Sequence, residues 1–499
     1  MDIFNTTVEV IKLINSIYTK YSDYRVADQT IDSMQHRLEC VEIRLEMFRE
    51  HLSNTKRGLS EDAKRIFRQS LQKVGDILYD LRDQLLPDIS FRTKLFRTKL
   101  AWIGWKKRRV DGLLLQLRTW EQEVGSMIFT YSLLLTVLGI KNFDSLYERL
   151  SRTGDQSLTG ALALARRIHG GQNLQIYHIP VSTLIPAVRP VPTDRVLAQY
   201  ESSPVYLERH GPRSDVLTRM ATAFRSPDLP SMHLLSCLGF TVYHGTEHFL
   251  VYQIPTLSPE IVNPARLPIL SYALDSDVRM ALEDRFRIAV EITTAVMEIH
   301  AAGWVHKSIR SDNVLVSTRG GEKGGKGDAH VSSAYLVGFI IARSQDTEVS
   351  NCFPTTHPIH SLYHHPERQG GSNDNVVMFD IRHDMYSLGA LLIEIGFGKT
   401  LRVLFSPATP ALGFKEANHK RLLDYAHRLS SKMGSKYADA AITCLTKSTQ
   451  PHEKTEAVRK EFYEEVLCPL QEMMDGFKKK RRVEKLRFGK SNGRMWRIL

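Results

Sequence analysis

The chain has 499 residues, of which 42% are apolar and 24% are charged. This length exceeds what one hydrophobic core ordinarily serves and predicts two or three domains. The composition is that of a folded protein and excludes a wholly disordered one. The five cysteines are scattered and form no CxxC pair. We therefore expect neither a disulfide framework nor a zinc site, and we expect a reducing, cytoplasmic setting.

The net charge of +12 is concentrated near the end of the chain. Ten basic residues lie between 478 and 497 and only Glu484 opposes them, so this segment carries +9 and the rest carries +3. A nucleic-acid-binding function is not expected from so balanced a body. The basic tail, residues 471–499, has three interpretations: a solvated end, an anionic-headgroup site or a nuclear-import signal.

No secretory leader and no membrane span are expected from the sequence. The first 21 residues lack a basic segment followed by an apolar block and a cleavage site. No apolar run reaches the roughly 18 residues that a spanning helix needs. The nearest candidate, residues 127–140, is short and is better interpreted as a buried helix.

The first 150 residues carry helical periodicity throughout. Thr6 and Glu9 have the spacing of a capping box, which would start a first helix there. Its apolar residues, including Ile11, Ile14 and Ile17, cover much of its circumference.

Three further helices are predicted before residue 150. In the second and third, apolar residues alternate at steps of three and four, the pattern of helices that pack on helices. The third would begin near Ser60 and end before Pro87, and a fourth would span 100–138 with kinks at its glycines, including Gly112. We predict an all-α bundle over 1–150, with a coiled-coil dimerisation module as the alternative. The two seams are Ile31, Met34, Leu38, Val41, Leu45, Phe48 and Leu52, and then Phe67, Leu71, Val74, Leu78, Leu81 and Leu85.

A cationic, aromatic segment separates the third and fourth helices. The pentapeptide FRTKL occurs twice in tandem, at 91–95 and 96–100, and two tryptophans and four basic residues follow. Basic residues attract anionic headgroups and tryptophan prefers the membrane interface. A solvated loop and helix face is the alternative interpretation. The membrane-binding candidates are Ile11, Ile14, Ile17, Trp102, Trp105, Lys106, Lys107, Arg108 and Arg109.

The texture of the sequence changes after residue 150. Residues 151–195 are rich in Gly, Ser, Thr and Pro and are predicted to be a linker. Strand-like segments follow at 204–207, 234–243 and 249–254, and helical patterns return after about residue 284. We predict a second, α+β domain over 196–470.

The most informative motif is IHAAGWVHKSIRSDNVLV, residues 299–316. It resembles the catalytic loop of protein kinases, with His300, Gly303, His306 and Asn313 in register. Further kinase-like landmarks follow in order: YLVGFIIAR at 335–343, HPE at 365–367, DMYSLGALLIEIGFG at 384–398 and Cys444–Leu445. The resemblance implies a bilobal protein-kinase-like fold.

The residues that carry kinase chemistry are replaced. Ser308 lies at the position of the catalytic Asp, and Gly338, followed by Phe339, lies at that of the magnesium-binding Asp. No glycine-rich loop precedes the first strands, and Arg209 or His210 would take the place of the strand lysine. Phosphoryl transfer needs these groups for positioning and charge neutralisation, and Asn313 alone is a poor magnesium site. We expect no enzymatic activity, no cofactor and no metal.

Three acidic residues have expectations of their own. Asp312 precedes the loop asparagine, where kinases often carry an acid without catalytic duty, so we do not interpret it as a substitute base. The resemblance implies that Asp384 accepts hydrogen bonds from the loop backbone. It also implies that Glu367 pairs with a late arginine, but His452 and Lys454 lie where that residue is expected, which puts the bridge in doubt.

The whole architecture resembles mixed-lineage-kinase-domain-like cell-death proteins and fungal proteins that join a HeLo-type bundle to a degenerate kinase domain. The segment YHHPERQG, residues 363–370, and YLVGF are most similar to the fungal group. The resemblance implies a pseudokinase that restrains a membrane-targeting bundle, with recruitment from cytoplasm to membrane. The implied partners are an anionic membrane surface, an upstream signalling protein and further copies of the chain on activation. The alternatives are a non-lytic signalling adaptor and an active kinase with degenerate motifs.

Overall fold

The chain divides into two compact units, Met1–Thr159 and Gly160–Leu499. The first is helical in its described part and the second combines an antiparallel sheet with helices, so the protein is a multidomain α+β protein. The computed structural model describes residues 3–21, 29–54, 61–85, 107–120, 177–186, 195–210, 220–225, 229–243, 245–255, 269–275, 280–301, 303–319, 330–339, 343–344, 358–369, 379–406, 415–449, 455–474 and 476–477.

Four helices pack together in the first unit: α1 (Ile3–Tyr21), α2 (Gln29–Asn54), α3 (Glu61–Leu85) and α4 (Lys107–Trp120). Helix α1 contacts α2 and α3, and α4 contacts the same two helices. The two predicted seams are confirmed from Met34 to Phe48 and from Phe67 to Leu81, where every seam residue is buried. Because apolar residues repeat near the helical period, each helix has one continuous face to bury against its neighbours.

The start of α1 differs from the prediction. The helix begins at Ile3, so Thr6 lies inside it, and the predicted capping box with Glu9 is wrong. The neighbouring Thr7 is buried and its hydroxyl donates to the Ile3 carbonyl at 2.8 Å. Gly112 lies within α4 and does not interrupt it. Ser60, the FRTKL repeat and residues 127–140 lie outside the described residues.

Helix α4 is fixed to α3 by a buried tryptophan that the sequence analysis did not single out. The Trp120 indole Nε1 donates to the Ser70 carbonyl at 3.0 Å and to the Ser70 hydroxyl oxygen at 2.9 Å. A buried indole N–H needs an acceptor, and these two supply it. The pairing sets the axial position of α4 on α3.

The second unit opens with a five-stranded antiparallel sheet in the order β1-β2-β3-β5-β4. Strand β1 lies inside the predicted linker, so the folded unit begins earlier than the expected residue 196. One face of the sheet packs around Val205, Leu207, Phe249 and Val251. The strands are β1 (Leu184–Pro186), β2 (Arg195–Tyr200), β3 (Ser203–His210), β4 (Ser236–Tyr243) and β5 (Glu247–Gln253).

Helices dominate the rest of the second unit. The central one, α7 (Ile381–Phe397), is buried from Ile381 to Gly396 except for Arg382. It begins at an Asp380 cap and ends at Gly398, whose φ of 65° favours glycine. The other elements are α5 (Leu270–Asp275), α6 (Leu282–Ala301), β6 (Trp304–Val305), β7 (Val314–Arg319), β8 (His330–Leu336), β9 (Arg343–Ser344), α8 (Leu401–Leu404), α9 (Lys415–Arg428), α10 (Ser430–Met433), α11 (Ser435–Lys447) and α12 (Thr455–Phe462).

A buried carboxyl on α7 joins three parts of this helical region. Glu394 Oε1 accepts from the Tyr363 hydroxyl at 2.6 Å and from the Leu401 backbone N–H at 2.6 Å. Burial raises the pKa of Glu394 to about 7, although both hydrogen bonds act in the opposite direction. The carboxyl therefore holds its proton in the folded protein well above the pH at which an unfolded chain releases it.

The titration of Glu394 makes its own contribution to stability fall as pH rises. Between about pH 4.5 and 7 the folded state binds more protons at Glu394 than the unfolded state, so this contribution falls by about 2 kcal/mol between pH 5 and 7. Buried histidines with lowered pKa values, including His233, His306 and His364, act in the opposite direction over the same range. Glu394→Gln keeps the accepting oxygen and removes the titration. We expect the melting temperature of this variant to rise relative to that of the wild type between pH 5 and 7, whereas the exposed control Glu416→Gln should keep a constant difference from the wild type. Equal pH profiles for all three proteins would contradict the assignment.

None of the helices within the described ranges is both long enough and apolar enough to cross a bilayer.

Candidate functional site

The predicted loop and the segment after β8 are brought together by a hairpin. Strands β7 and β8 pair antiparallel from Val314–Leu336 to Arg319–His330. This register places the residue before β7 beside the residues after β8, and the Val337 N–H donates to the Asn313 carbonyl at 2.9 Å. Residues 313 and 338, which lie 25 positions apart in the sequence, therefore meet at one end of the hairpin.

Asp384 holds the backbone of the loop around His306. This fully buried carboxylate on α7 accepts from the backbone N–H of His306 at 2.6 Å and of Lys307 at 2.8 Å. His300 Nε2, at the end of α6, lies 3.0 Å from the same carboxylate. Lys307 has a φ of 67°, a strained conformation for a residue with a side chain, and these bonds hold it. The expected contact between Asp384 and the loop backbone is confirmed.

His306 links the loop to the segment after β8. Its Nε2 lies 3.0 Å from the Val337 carbonyl oxygen, and its Nδ1 accepts from the Ser308 N–H at 3.2 Å. Burial lowers the pKa of His306 to about 4, so the ring is neutral at neutral pH. The Phe339 ring packs on it with centroids 4.6 Å apart and on Phe224 at 4.5 Å. His306 and Phe339 thus belong to a packed interior.

Asn313 and Ser308 are bonded to each other. The Asn313 Nδ2 donates to the Ser308 carbonyl at 2.5 Å and to the Ser308 hydroxyl oxygen at 2.9 Å. A serine hydroxyl does not accept a proton from a substrate hydroxyl at neutral pH unless a neighbouring base activates it. The nearby His306 cannot do so, because its Nδ1 already accepts the backbone N–H of the same serine.

Gly338 lies against the Asn313 amide. Its φ is 89°, and a Cβ added there would lie 2.3 Å from Asn313 Cγ and 2.5 Å from Nδ2. No side chain fits at this position unless Asn313 moves. An aspartate that would hold a metal ion beside Asn313 is therefore excluded from position 338 by the local packing as well as by the sequence.

Two residues that the sequence analysis missed close the site from the sheet. The Arg195 guanidinium, at the start of β2, donates to the Asn313 Oδ1 and to the Asp312 carbonyl. Glu208, fully buried on β3, accepts from the Gly338 N–H at 2.9 Å. Arg195 and Glu208 are cross-strand neighbours in the β2–β3 register. Asn313 occupies the one kinase-like metal-ligand position that the sequence retains. Its side-chain oxygen thus already accepts from a cation of the chain itself, the Arg195 guanidinium.

The residues expected to replace the strand lysine do not carry this role. Arg209 Nη2 pairs with Glu247 Oε1 on β5 at 3.0 Å, and both side chains are partly exposed. His210 is buried at the end of β3. The side chain of this strand that reaches the loop region is Glu208, which has the opposite charge to a lysine. Successive side chains of a strand alternate between its two faces, so Glu208 points away from the face of Val205 and Leu207. This alternation is the feature of the sequence from which its position could have been predicted.

Asp312 is paired, as expected for a residue without catalytic duty. Its carboxylate lies 3.6 Å from His360 Nε2 and 3.7 Å from Arg310 Nε. Burial alone would raise its pKa, but hydrogen bonds from His360 and Ser271 and the charge of Arg310 lower it to about 2. So weak a base does not activate a hydroxyl at neutral pH.

Glu367 finds its partners close by. Its Oε1 lies 2.7 Å from His383 Nε2, at the start of α7, and 3.8 Å from Arg382 Nη2. The late segment with His452 and Lys454 lies outside the described residues, so a pairing there stays a prediction. Within the described part of the chain, α7 supplies the nearest group, His383, and His365 Nδ1 follows at 3.6 Å.

Comparison with known families gives a match in the second unit. A protein-family model described as "Domain of unknown function (DUF7580)" matches residues 260–477. The match covers less than half of the chain. It includes the loop around His306, the hairpin and α7, but neither Arg195 nor Glu208. A search of curated proteins finds no match.

The membrane-binding candidates are not exposed together in this conformation. Ile11, Ile14 and Ile17 are buried between the helices of the first unit. Arg109 is exposed on α4. Lys107 and Arg108 belong to the first turn of α4, and their side chains are not among those described. Trp102, Trp105 and Lys106 lie outside the described residues.

Proposed function

We propose that the second unit is a catalytically inactive, protein-kinase-like signalling domain. The observation that carries the proposal is the contact between Gly338 and Asn313, with Arg195 on the Asn313 oxygen. The hydrogen bonds that shape a kinase-like loop are present, because Asp384 accepts from the loop backbone. The groups that would use the loop for chemistry are replaced, which is what a binding or switching domain needs.

Electrostatics at the site also disfavours a bound metal–nucleotide complex. Magnesium needs several oxygen ligands at near-octahedral geometry. Asn313 Oδ1 already binds the Arg195 guanidinium, and no carboxylate extends from position 338. A divalent cation would have to displace the Arg195 guanidinium from Asn313 Oδ1. The positive charge of the guanidinium would then remain nearby and repel the cation.

Calorimetric titration of the full chain with ATP, with and without magnesium, tests this proposal. We expect no magnesium-dependent binding and no incorporation of radiolabelled phosphate into the protein or a generic substrate. Arg195→Ala, with the partly exposed Arg209→Ala as a control, asks whether the Arg195 guanidinium alone blocks the metal. Phosphate transfer by the wild type that disappears in Asn313→Ala would overturn the proposal.

We further propose that the second unit regulates the helical unit, which acts on an anionic membrane in regulated cell death. The support is the apolar α1 and the exposed Arg109 near three further basic residues of the sequence. Since Ile11, Ile14 and Ile17 are buried, a lytic role requires the bundle to open and expose them. Binding to a membrane would supply the free energy for that opening.

The same burial favours a second candidate function. A bundle whose apolar faces are already packed is suited to dock other proteins without disturbing lipid. A non-lytic adaptor needs only this folded surface and the second unit. The two functions differ in whether the helical unit ever releases its buried isoleucines.

Dye leakage from anionic liposomes separates the two. Residues 1–159, first shown by circular dichroism to be helical, are compared with the full chain. A restrained executor predicts leakage by the fragment and little by the full chain, whereas an adaptor predicts none from either. In the fragment, Lys107→Glu, Arg108→Glu and Arg109→Glu together should abolish binding. The charge-matched control Lys12→Glu, Arg68→Glu and Lys73→Glu changes three exposed cations on α1 and α3 and should bind better than that variant.

A further inference from the structure

Two histidines and a glutamate converge where the 3₁₀ turn Pro366–Arg368 meets the start of α7. One ligand atom each from His365, Glu367 and His383 lies within 4.8 Å of the others. His383 Nε2 is 2.7 Å from Glu367 Oε1, and His365 Nδ1 is 3.6 Å from the same oxygen. The two rings meet edge to face with centroids 5.1 Å apart. In this arrangement two imidazole nitrogens and a carboxylate oxygen face a common point.

The proton on His365 is on the wrong nitrogen for a hydrogen bond to that carboxylate. Its Nε2 lies 3.1 Å from the Ser448 carbonyl oxygen, which accepts only if Nε2 carries the proton. Its Nδ1 accepts the Glu367 N–H at 3.3 Å. This hydrogen bond occupies the Nδ1 lone pair, and the same nitrogen lies 3.6 Å from Glu367 Oε1. A cation bound between Nδ1 and Oε1 would replace that one hydrogen bond by two bonds to the metal.

The surroundings are those of a built site. The His365 and His383 side chains are 4% and 1% exposed, while that of Glu367 is 33% exposed and leaves a path for an ion. The Ser448 carbonyl fixes the orientation and tautomer of His365, as carbonyl acceptors do for metal-binding histidines. His383 Nδ1 accepts the Asp380 N–H at 2.8 Å and lies 3.2 Å from the Asp380 carboxylate, which would accept a proton from that nitrogen once Nε2 binds a metal.

We propose that His365, Glu367 and His383 bind one divalent transition-metal ion of the zinc type. Two imidazoles and one carboxylate are the ligand set that zinc prefers over magnesium or calcium, and solvent would fill the fourth position. Binding would move the His383 proton from Nε2 to Nδ1, which would exchange its hydrogen bond from the Asp380 N–H for one to the Asp380 carboxylate, and no net proton is released. Arg382 lies 3.8 Å from Glu367 but 2.7 Å from Asp380, which neutralises most of its charge.

Such an ion would fasten the 3₁₀ turn to α7. It would hold the segment after residue 365 in place, where a kinase-like fold otherwise relies on an ion pair with a late arginine. This site is separate from the nucleotide question, because His365, Glu367 and His383 lie outside the loop and the hairpin that hold Asn313 and Gly338. The scattered cysteines gave no hint of it, because all of its ligands are histidine and glutamate.

The test is a metal titration of the full chain after exhaustive chelation and dialysis. Cobalt(II) should give a saturable visible absorption band of a four-coordinate site, and zinc should abolish that band at one equivalent. Zinc should also raise the melting temperature of the protein. A chain that shows no cobalt band, or a cobalt band that zinc does not abolish, would overturn the proposal, and neither result depends on a variant.

Variants locate the site. Glu367→Gln keeps an acceptor for His383 but removes the charge, and His365→Asn removes a ligand. Each should weaken zinc binding at least about tenfold, measured against a chromophoric chelator. The control His427→Gln changes an exposed histidine on α9 and should bind as the wild type does. Zinc affinity equal to that of the wild type in both Glu367→Gln and His365→Asn would show that the ion binds elsewhere and would overturn the assignment.

Discussion

Asp384→Asn should destabilise the second unit by about 3 kcal/mol, because this fully buried carboxylate accepts hydrogen bonds from three groups of the protein. Its two oxygens serve the backbone N–H groups of His306 and Lys307 and the ring of His300. An asparagine offers one oxygen and one NH₂, so at least one buried donor would face another donor. The positive φ of Lys307 would also lose part of its support.

The measurement is the melting transition of the second unit in the full chain, followed by calorimetry. A loss of this size corresponds to a fall in Tm on the order of 5–10 °C. Asp439→Asn, which changes an exposed carboxylate on α11, is the matched control and should shift Tm little. If Asp384→Asn and this control have the same Tm, Asp384 does not hold the loop in place.

The parts of the fold that follow a repeated or clustered pattern were predictable from the sequence. The seams of α2 and α3 are buried as expected, because a residue every three or four positions fixes a face whatever the partner. The contact of Asp384 with the loop was likewise predictable, since it came with a motif at fixed spacing. Local start signals were less informative, as Thr6 demonstrates, since α1 begins three residues earlier, at the buried Ile3.

The missed residues of the site depend on contacts that no local pattern records. Arg195 reaches a residue 118 positions away, and Glu208 reaches one 130 positions away. Each lies on a strand whose apolar neighbours dominate its pattern, so an inward-facing charge has no visible partner in the sequence. The partners of Glu367 were missed for a different reason. Family resemblance directed attention to a late arginine, while His383 lies only 16 positions away.

Gly338→Ala should cost about 3 kcal/mol of stability in the second unit, although it adds a single methyl group. Part of that cost, about 1 kcal/mol, comes from placing a side chain at a φ of 89°. The larger part comes from the Asn313 amide, which the new Cβ would approach to 2.3 Å. Asn313 cannot move freely, because Arg195 and Ser308 hold both ends of its amide.

Gly245→Ala separates these two contributions. Gly245 also has a positive φ, of 72°, but no atom lies within 4 Å of its added Cβ. It should therefore lose only the conformational part, and the difference in Tm between the two variants measures the steric part. Equal losses in both variants would mean that Asn313 yields readily and that the packing at Gly338 does not exclude a side chain.

The same comparison decides whether an aspartate at position 338 can restore a metal site. Gly338→Asp supplies the missing carboxylate, yet it requires the displacement of the one remaining amide ligand, Asn313. We expect it to be at least as unstable as Gly338→Ala and to remain without magnesium-dependent ATP binding, even together with Arg195→Ala. Stable magnesium binding by Gly338→Asp would mean that one substitution is enough to create a magnesium site here. Failure of both variants would mean that the backbone and its packing, and not one missing side chain, keep this site from binding magnesium.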